Sequence, residues 1–173
     1  NAMEWESIFI LPFKCSSESK IRINQLKILH RFYPCQSLVS KWDKEKSEIC
    51  SSCKKEKDTI THMFYKCYKV NEFWKELIEY LDIDILLTLS QTQVIFGILP
   101  YTLGNHSINH LLLHCKYFIH VQKTQNIIPN LERFKHYYES CLKIEEEVYR
   151  LENNSPLYEK LFSNIKCKIR SNK

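Results

Sequence analysis

Residues 50–67 of the chain read CSSCKKEKDTITHMFYKC, a stretch that contains three cysteines and one histidine. Cys50 and Cys53 flank two residues, so one turn of the chain can bring both thiolates to the same point. His62 and Cys67 lie about one helical turn from each other, which places both side chains on one face. Three thiolates and an imidazole at these spacings are typical of a tetrahedral zinc ion, whose four ligands leave no position for water. The sequence therefore predicts one structural Zn²⁺, held by Cys50, Cys53, His62 and Cys67.

Two other interpretations of this cluster are open. The four residues could be unrelated, since the chain contains 8 cysteines and 7 histidines. The other five cysteines stand isolated, however, whereas these three occur with a histidine among polar, turn-forming residues. The thiols could instead form disulfides, but no signal peptide is recognisable and secreted disulfide frameworks are usually much shorter than this chain. We therefore expect a reducing compartment and a metal site.

The composition favours helices. Only 2 glycines and 5 prolines occur among the 173 residues. Because the turns of a many-stranded sheet need such residues, we expect long helices and no all-β fold. No apolar run approaches the roughly 18 residues of a membrane-spanning helix, so we expect an intracellular chain without a membrane partner. The predicted fold is all-α: a helical domain with a CCHC zinc knuckle inserted between helices.

Apolar periodicity divides the chain into helices and connections. The clearest helix covers residues 70–81, and Ser90 with Gln93 forms the pattern of a capping box for a short helix through Ile98. Residues 83–89 alternate like a strand but have no partner, so we predict an extended connection there. Other helices are predicted over residues 20–33, 36–42, 108–119, 129–148 and 155–165.

The predicted organisation has four parts. Residues 1–3 look like the remnant of an expression tag. Residues 4–81 form a helical segment that carries the zinc knuckle at 50–67, and residues 82–165 form a C-terminal helical bundle that packs on it. Residues 166–173 form a basic, frayed tail.

Positive charge is concentrated in the first half of the chain. Residues 14–75 contain 14 Lys or Arg against 7 Asp or Glu, whereas residues 76–165 contain 7 against 11. This distribution favours a polyanionic partner, although a solvated charged surface explains the charge alone equally well. Tyr65 and Tyr68 are candidates for stacking on unpaired bases, while Phe64 is expected in the core. The candidate phosphate contacts are Lys20, Lys27 and Arg31, in a row on the first helix, and Lys54, Lys55, Lys57, Lys66 and Lys69 around the metal.

A second group of metal-binding side chains occurs at His106, His110 and His114, which recur every four residues on one helical face. These histidines could form another metal site, but no carboxylate or cysteine clearly completes it. We therefore favour histidines at the surface or at the edge of an apolar face. Cys115 and Cys141 occupy apolar positions and are predicted to be buried thiols. No residue pattern typical of a catalytic centre occurs in the sequence, so we predict that this chain is not itself an enzyme.

Further motifs flank the cysteine cluster. They are Trp5-x2-Ile8-Phe9-x-Leu11-Pro12-Phe13, Gln25-x-Lys27-Ile28-x-His30-Arg31 and, after the cluster, Phe73-Trp74. In this order the motifs and the cluster resemble the zinc-binding C-terminal region of the reverse-transcriptase polyprotein of LINE-type (non-LTR) retrotransposons. The gap before His62 is longer than in the retroviral nucleocapsid knuckle, so the base-stacking roles of that shorter knuckle are not transferred.

The resemblance implies an accessory domain that binds RNA, DNA or both and supports target-primed reverse transcription. Its other partner would be the polymerase portion of the same polyprotein, and no small-molecule substrate is expected. The parent polyprotein would be a reverse transcriptase and endonuclease, found in cytoplasmic ribonucleoprotein and in the nucleus. Two alternatives are a protein-docking scaffold and a zinc-knuckle protein domesticated by the host.

Overall fold

The computed structural model describes the backbone of residues 2–170 and the side chains of residues 5–84 and 86–170. A π-helix at His62–Lys66 and a 3₁₀-helix at Leu103–Asn105 accompany the α-helices. No β-strand forms between residues 2 and 170, and the prediction of an all-α fold is confirmed. The α-helices of this range are α1 (Ala2–Cys15), α2 (Ser19–Leu29), α3 (Gln36–Val39), α4 (Tyr68–Leu81), α5 (Asp84–Leu87), α6 (Gln91–Phe96), α7 (His106–Thr124), α8 (Leu131–Leu151) and α9 (Ser155–Arg170).

Local sequence signals account for α4 and α6. The predicted helix over residues 70–81 is confirmed by α4, whose buried side is formed by Val70, Phe73, Trp74, Leu77 and Leu81. The Trp74 indole N–H donates to the carbonyl of Phe64 at 2.9 Å, which ties α4 to the π-helix before it. At α6 the predicted capping box is present, because Ser90 Oγ accepts from the Gln93 N–H and Gln93 Oε1 accepts from the Ser90 N–H.

The second helix ends earlier than the sequence predicts. α2 stops at Leu29 because Arg31 adopts a left-handed conformation, with φ of 56°, that turns the chain away from the helix axis. The prediction of a helix through residue 33 is therefore wrong, and Arg31 does not continue the row of Lys20 and Lys27. Phe32, expected on the packed face, is 63 % exposed beyond this turn.

Two later segments also differ from the predictions. Residues 84–87 form α5 and not an extended connection, and the buried Leu86 accepts from the Leu89 N–H at 3.1 Å. α9 continues through Arg170, so residues 166–170 are not frayed. Ile169 is buried there, and Lys166 Nζ lies 2.6 Å from Glu146 Oε1 on α8. The rest of the predicted tail, 171–173, lies outside the described residues, as does residue 1 of the predicted tag remnant; residues 2 and 3 belong to α1.

The long helices α7 and α8 run antiparallel, as predicted. His110, early in α7, lies 2.9 Å from the Tyr138 hydroxyl and 3.6 Å from Glu145 Oε1 of α8. Phe118, later in α7, meets the ring of Phe134 near the start of α8 at 5.3 Å, so the two helices run in opposite directions. α9 packs against both helices. Neither these helices nor any other helix within residues 2–170 has the length and apolar character needed to cross a lipid bilayer.

One hydrophobic core joins the two large predicted segments. Its buried residues include Phe64 from residues 4–81 and Leu142 from residues 82–165. Residues from both of these predicted segments thus share one core. A smaller buried cluster holds α1 and α2 on α7 through Leu11, Cys15, Ile21 and Leu113.

Gly97 ends α6 with φ of 93°, and a Cβ atom there would lie 2.1 Å from Leu11 Cδ2. We expect Gly97→Ala to lower the free energy of unfolding by about 2 kcal/mol, because an L side chain is strained at this φ and must displace the buried side chain of Leu11. Urea unfolding followed by circular dichroism measures this change.

Gly104→Ala is the matched control. The nearest atom to a Cβ at this position is Thr102 Oγ1, at 3.7 Å. Its free energy of unfolding should change by less than about 0.5 kcal/mol. Equal unfolding midpoints for the two variants would contradict the predicted strain at Gly97.

Candidate metal centre

The first half of the candidate centre is a tight turn. The Lys54 N–H donates to the Cys50 carbonyl at 2.8 Å, and Lys54 has a left-handed φ of 55° that closes the turn. The chain then returns beside itself, with the Cys50 N–H donating to the Glu56 carbonyl at 2.8 Å and an isolated antiparallel bridge between Ile49 and Lys57. These backbone contacts hold the thiols of Cys50 and Cys53 close together.

The second half is the π-helix at His62–Lys66 that leads into α4. The Cys67 N–H donates to the His62 carbonyl at 2.8 Å, so the two ligating residues are one wide helical turn apart. The Thr59 hydroxyl accepts from the His62 N–H at 3.1 Å and holds the start of this turn. The predicted relation between His62 and Cys67 is thereby confirmed.

The four predicted ligands converge. One donor atom from each of Cys50, Cys53, His62 and Cys67 lies within 4.8 Å of the other three, and all four residues are buried. Cys53 Sγ is 3.4 Å from His62 Nε2. In a tetrahedral site, Zn–S bonds of about 2.3 Å and Zn–N bonds of about 2.1 Å place the donor atoms roughly 3.6–3.8 Å apart. The residues therefore fit one tetrahedral metal ion, which they could hold after small movements.

The thiol of Cys50 loses its proton more readily than an ordinary cysteine thiol. A hydrogen bond with the Cys67 thiol lowers the pKa of Cys50 to about 3, and the Lys123 ammonium acts in the same direction. The same hydrogen bond raises the pKa of Cys67, because this sulfur keeps the proton that the pair shares. A metal ion bound between the two sulfur atoms takes the place of that proton.

The centre is attached to the bundle by two residues that were not predicted from the sequence. Asp58 is fully buried; it accepts from the Gln36 N–H at 2.9 Å and forms an ion pair with Lys123 of α7. Lys123 Nζ also lies 3.9 Å from Cys50 Sγ. The only sequence signal for Asp58 is an acidic residue within a basic segment, and nothing in the sequence relates Lys123 to it.

A further carboxylate lies next to the histidine ligand. Glu56 Oε2 approaches His62 Nδ1 to 3.3 Å, on the side of the ring opposite the nitrogen that faces Cys53. Carboxylates in this position orient ligating imidazoles and keep the metal-binding nitrogen unprotonated. Glu56 itself is largely exposed, so this contact is formed at the edge of the centre.

The structure places two cations over one exposed aromatic ring. Tyr68 is 42 % exposed, and Lys55 Nζ and Lys69 Nζ lie 5.3 and 4.9 Å from its ring centroid. Lys54, Lys57 and Lys66 are also exposed near the cluster, although Lys57 forms an ion pair with Glu48 at 2.6 Å.

The other aromatic residues of the segment point inward. Phe64 is buried, as predicted. Tyr65 is half-buried, and its hydroxyl donates to the Leu89 carbonyl at 3.2 Å. Tyr68 is therefore the better placed of the two tyrosines for stacking.

The predicted cations of the first helix do not form one row. Lys27 is exposed on α2, whereas Lys20 Nζ lies 2.6 Å from Glu18 Oε2 and Arg31 lies beyond the helix end. Beyond that end, Phe32 and Trp42 form an exposed aromatic pair with ring centroids 6.2 Å apart. Sequence analysis missed this pair because helical periodicity assigned Phe32 to the packed face.

The three regularly spaced histidines are not at the surface. His106, His110 and His114 are all buried, so the prediction of surface or boundary positions is wrong. The reason is that α7 is packed by α1, α2, α8 and α9, which leaves its polar residues in the interior. Cys115 and Cys141 are buried as predicted.

No protein-family model matches the sequence, and no curated protein matches it at a significant level. What the centre does is therefore inferred from its residues and geometry.

Lys123→Met tests the electrostatic support of the centre. We expect metal affinity to fall about 10- to 100-fold, because the variant removes the cation next to Cys50 and leaves Asp58 buried without its partner. Competition between the protein and a chelator for Zn²⁺ measures the affinity. Lys160→Met, on the exposed side of α9, is the control and should leave the affinity unchanged.

A double variant separates the loss of the cation next to Cys50 from the loss of the ion-pair partner of Asp58. Asp58→Asn together with Lys123→Met removes both charges of the buried pair. If the cation acts directly on Cys50, the affinity should stay low in the double variant. Full affinity in Lys123→Met would contradict the role assigned to Lys123.

Proposed function

We propose that the chain is a zinc-stabilised nucleic-acid-binding module without an active site of its own. The observation that carries the proposal is the exposed ring of Tyr68, which has two lysines over it and directly follows Cys67, the last of the four candidate ligands. Aromatic faces stack on unpaired bases irrespective of sequence, while neighbouring cations neutralise the phosphates.

Zinc is the metal that suits the candidate centre. Three thiolates and one imidazole form a soft, tetrahedral set of donors, which is typical of structural zinc. With four protein ligands the shell is complete, so zinc shapes the segment and has no open position for a substrate. Three thiolates and Zn²⁺ sum to a single negative charge, which Lys123 offsets.

The surroundings of Tyr68 suit a single strand of RNA or DNA. Lys55 and Lys66 lie within residues 50–67, and Lys69 lies just after them on α4. Phosphate contacts from these lysines would hold a strand without reading its sequence. Phe32 and Trp42 offer a second stacking surface close in sequence to the cations Arg31 and Lys41.

The resemblance to LINE-type polyproteins gives this activity a context. In that context the chain is an accessory domain of a reverse-transcriptase polyprotein, and it holds RNA or DNA near the polymerase portion during target-primed reverse transcription. A host protein that keeps the domain without the polymerase would use the same surface.

A protein-docking scaffold is the second candidate. On α1 the apolar side chains of Trp5, Ile10 and Phe13 are exposed, and Ile10 and Phe13 lie three residues apart on the helix surface. Such residues suit contact with another protein, for example the polymerase portion of the same polyprotein.

Oligonucleotide titration at several salt concentrations tests the proposed activity. We expect single strands to bind in a salt-dependent manner. Lys55→Ala with Lys69→Ala should reduce the slope of log K against log salt by about 0.7 for each lost phosphate contact. Tyr68→Ala should cost about 1–3 kcal/mol of binding free energy through lost stacking. Fluorescence anisotropy with labelled RNA and DNA provides both quantities.

The matched control replaces cations away from the metal segment. Lys143 and Lys160 are exposed on α8 and α9, and their replacement by Ala should leave the slope unchanged. Absence of binding at about 50 mM salt would contradict the nucleic-acid proposal and favour the docking scaffold. An equal reduction of the salt slope in the control variant would show that Lys55 and Lys69 make no specific contact with the oligonucleotide.

Removal of the metal tests the role of zinc. Cys53→Ser, or chelation of the wild-type chain, should unfold the segment of residues 50–67 and weaken oligonucleotide binding, because zinc affinity and folding of such segments are coupled. Ser52→Ala, on the same turn, should retain both zinc and binding. A chain purified under reducing conditions that contains no zinc would refute the proposed centre.

A further inference from the structure

We propose that Glu18, His114 and Cys141 form a second metal site, inside the helical bundle, for a divalent transition-metal ion such as Zn²⁺. Glu18 immediately precedes α2, His114 lies midway along α7, and Cys141 lies on α8. A carboxylate oxygen, an imidazole nitrogen and the sulfur of these residues lie within 4.8 Å of one another. The helices thus bring three metal-binding side chains, distant in sequence, to one point. This inference is independent of the proposed nucleic-acid binding.

Two of the donor atoms are buried without a hydrogen-bond partner among the described residues. They are His114 Nε2, on a side chain that is 0 % exposed, and Glu18 Oε1. The two atoms face each other at 3.8 Å, which is beyond hydrogen-bond distance. Because a buried polar atom without a partner is destabilising, two such atoms face to face indicate that they serve a common partner.

The carboxylate of Glu18 has one oxygen on a lysine and the other on the side of His114. Glu18 is the N-cap residue of α2, where the first backbone N–H groups of the helix need acceptors. Its side chain makes no such cap. Lys20 Nζ holds Oε2 at 2.6 Å, so that Oε1 is available on the side of His114.

Tyr137 connects the other two proposed ligands. Its hydroxyl lies 2.9 Å from His114 Nδ1, and Tyr137 precedes Cys141 by one helical turn on α8. If Nδ1–H donates to the hydroxyl oxygen, the lone pair of Nε2 is available for a metal and the hydroxyl hydrogen is available for the Cys141 sulfur.

The neighbouring pair of His110 and Glu145 offers no comparable site. Glu145 Oε1 lies 3.6 Å from His110 Nε2, but it already accepts from the backbone N–H and the hydroxyl of Ser17, at 2.9 and 3.0 Å. Glu145 therefore has partners for its charge, whereas Glu18 Oε1 has none among the described residues.

A small contraction would adapt the site to zinc. Tetrahedral zinc needs roughly 3.3 Å between nitrogen and oxygen and about 3.6 Å between nitrogen and sulfur. The separation of 3.8 Å between His114 Nε2 and Glu18 Oε1 is close to the first value. Three protein ligands leave a fourth position for water, unlike the four-ligand centre at Cys50. Lys20, which is half-exposed, lies at the edge of the site and marks its side nearest to solvent.

Metal analysis of the full chain tests this proposal. After saturation with Zn²⁺ and gel filtration, the wild-type chain should contain two zinc ions. Glu18→Gln and Cys141→Ser should each reduce the content to one. Cys115→Ala, which replaces a buried thiol of α7 outside both sites, should retain two. In Co²⁺-substituted protein, the thiolate absorption of the three-cysteine centre should persist in Glu18→Gln.

Opposite outcomes overturn the proposal. A wild-type chain with one zinc ion would show that Glu18, His114 and Cys141 hold no metal. If the Glu18→Gln and Cys141→Ser chains each retain two zinc ions, these residues also hold no metal, and the second zinc is an adventitious ion only. Cys53→Ser separates the two centres, because it should lose one ion and keep the ion that Glu18→Gln removes. If Cys141→Ser does not fold, Glu18→Gln at the edge of the bundle gives the answer.

Discussion

The convergence of four donor atoms is the constraint on which the segment of residues 50–67 depends. The side chains of residues 54–57 are exposed, so this part of the segment has no apolar interior of its own, whereas Met63 and Phe64 of the same segment are buried in the main core. Its backbone is held by a few hydrogen bonds and by the proximity of the buried thiols and imidazole. In a segment of this kind the free energy of metal binding contributes directly to folding. Lys55, one of the two lysines over the exposed ring of Tyr68, lies within this segment, and Tyr68 begins α4 directly after Cys67.

α7 links this segment to the rest of the molecule. At its C-terminal end Lys123 pairs with the buried Asp58 and approaches Cys50, while His114 lies near its middle against Glu18. The two α7 residues are nine positions apart, or roughly 14 Å along the helix axis. The candidate metal centre and the proposed second site are thus supported by one buried helix. Charged and polar residues persist in this interior because most of them have partners on other helices.

The parts of the structure that were predictable from the sequence are those encoded by short-range patterns. Cysteine and histidine spacing identified the four converging ligands, apolar periodicity identified α4, and the Ser90 capping box identified α6. The misses depend on contacts between distant residues. Periodicity alone could not show that Arg31 turns the chain. It also could not show that the histidines of α7 are covered by other helices, or that Lys123 meets Asp58.

Amide hydrogen exchange with and without a chelator tests most directly whether a metal holds residues 50–67. The informative groups are the N–H groups of Cys50, Lys54 and Cys67, which are hydrogen-bonded within the segment, with α8 as the internal reference. The account predicts that chelation abolishes protection at these three groups and leaves α8 protected. Unchanged protection of the three groups after complete removal of metal would contradict it.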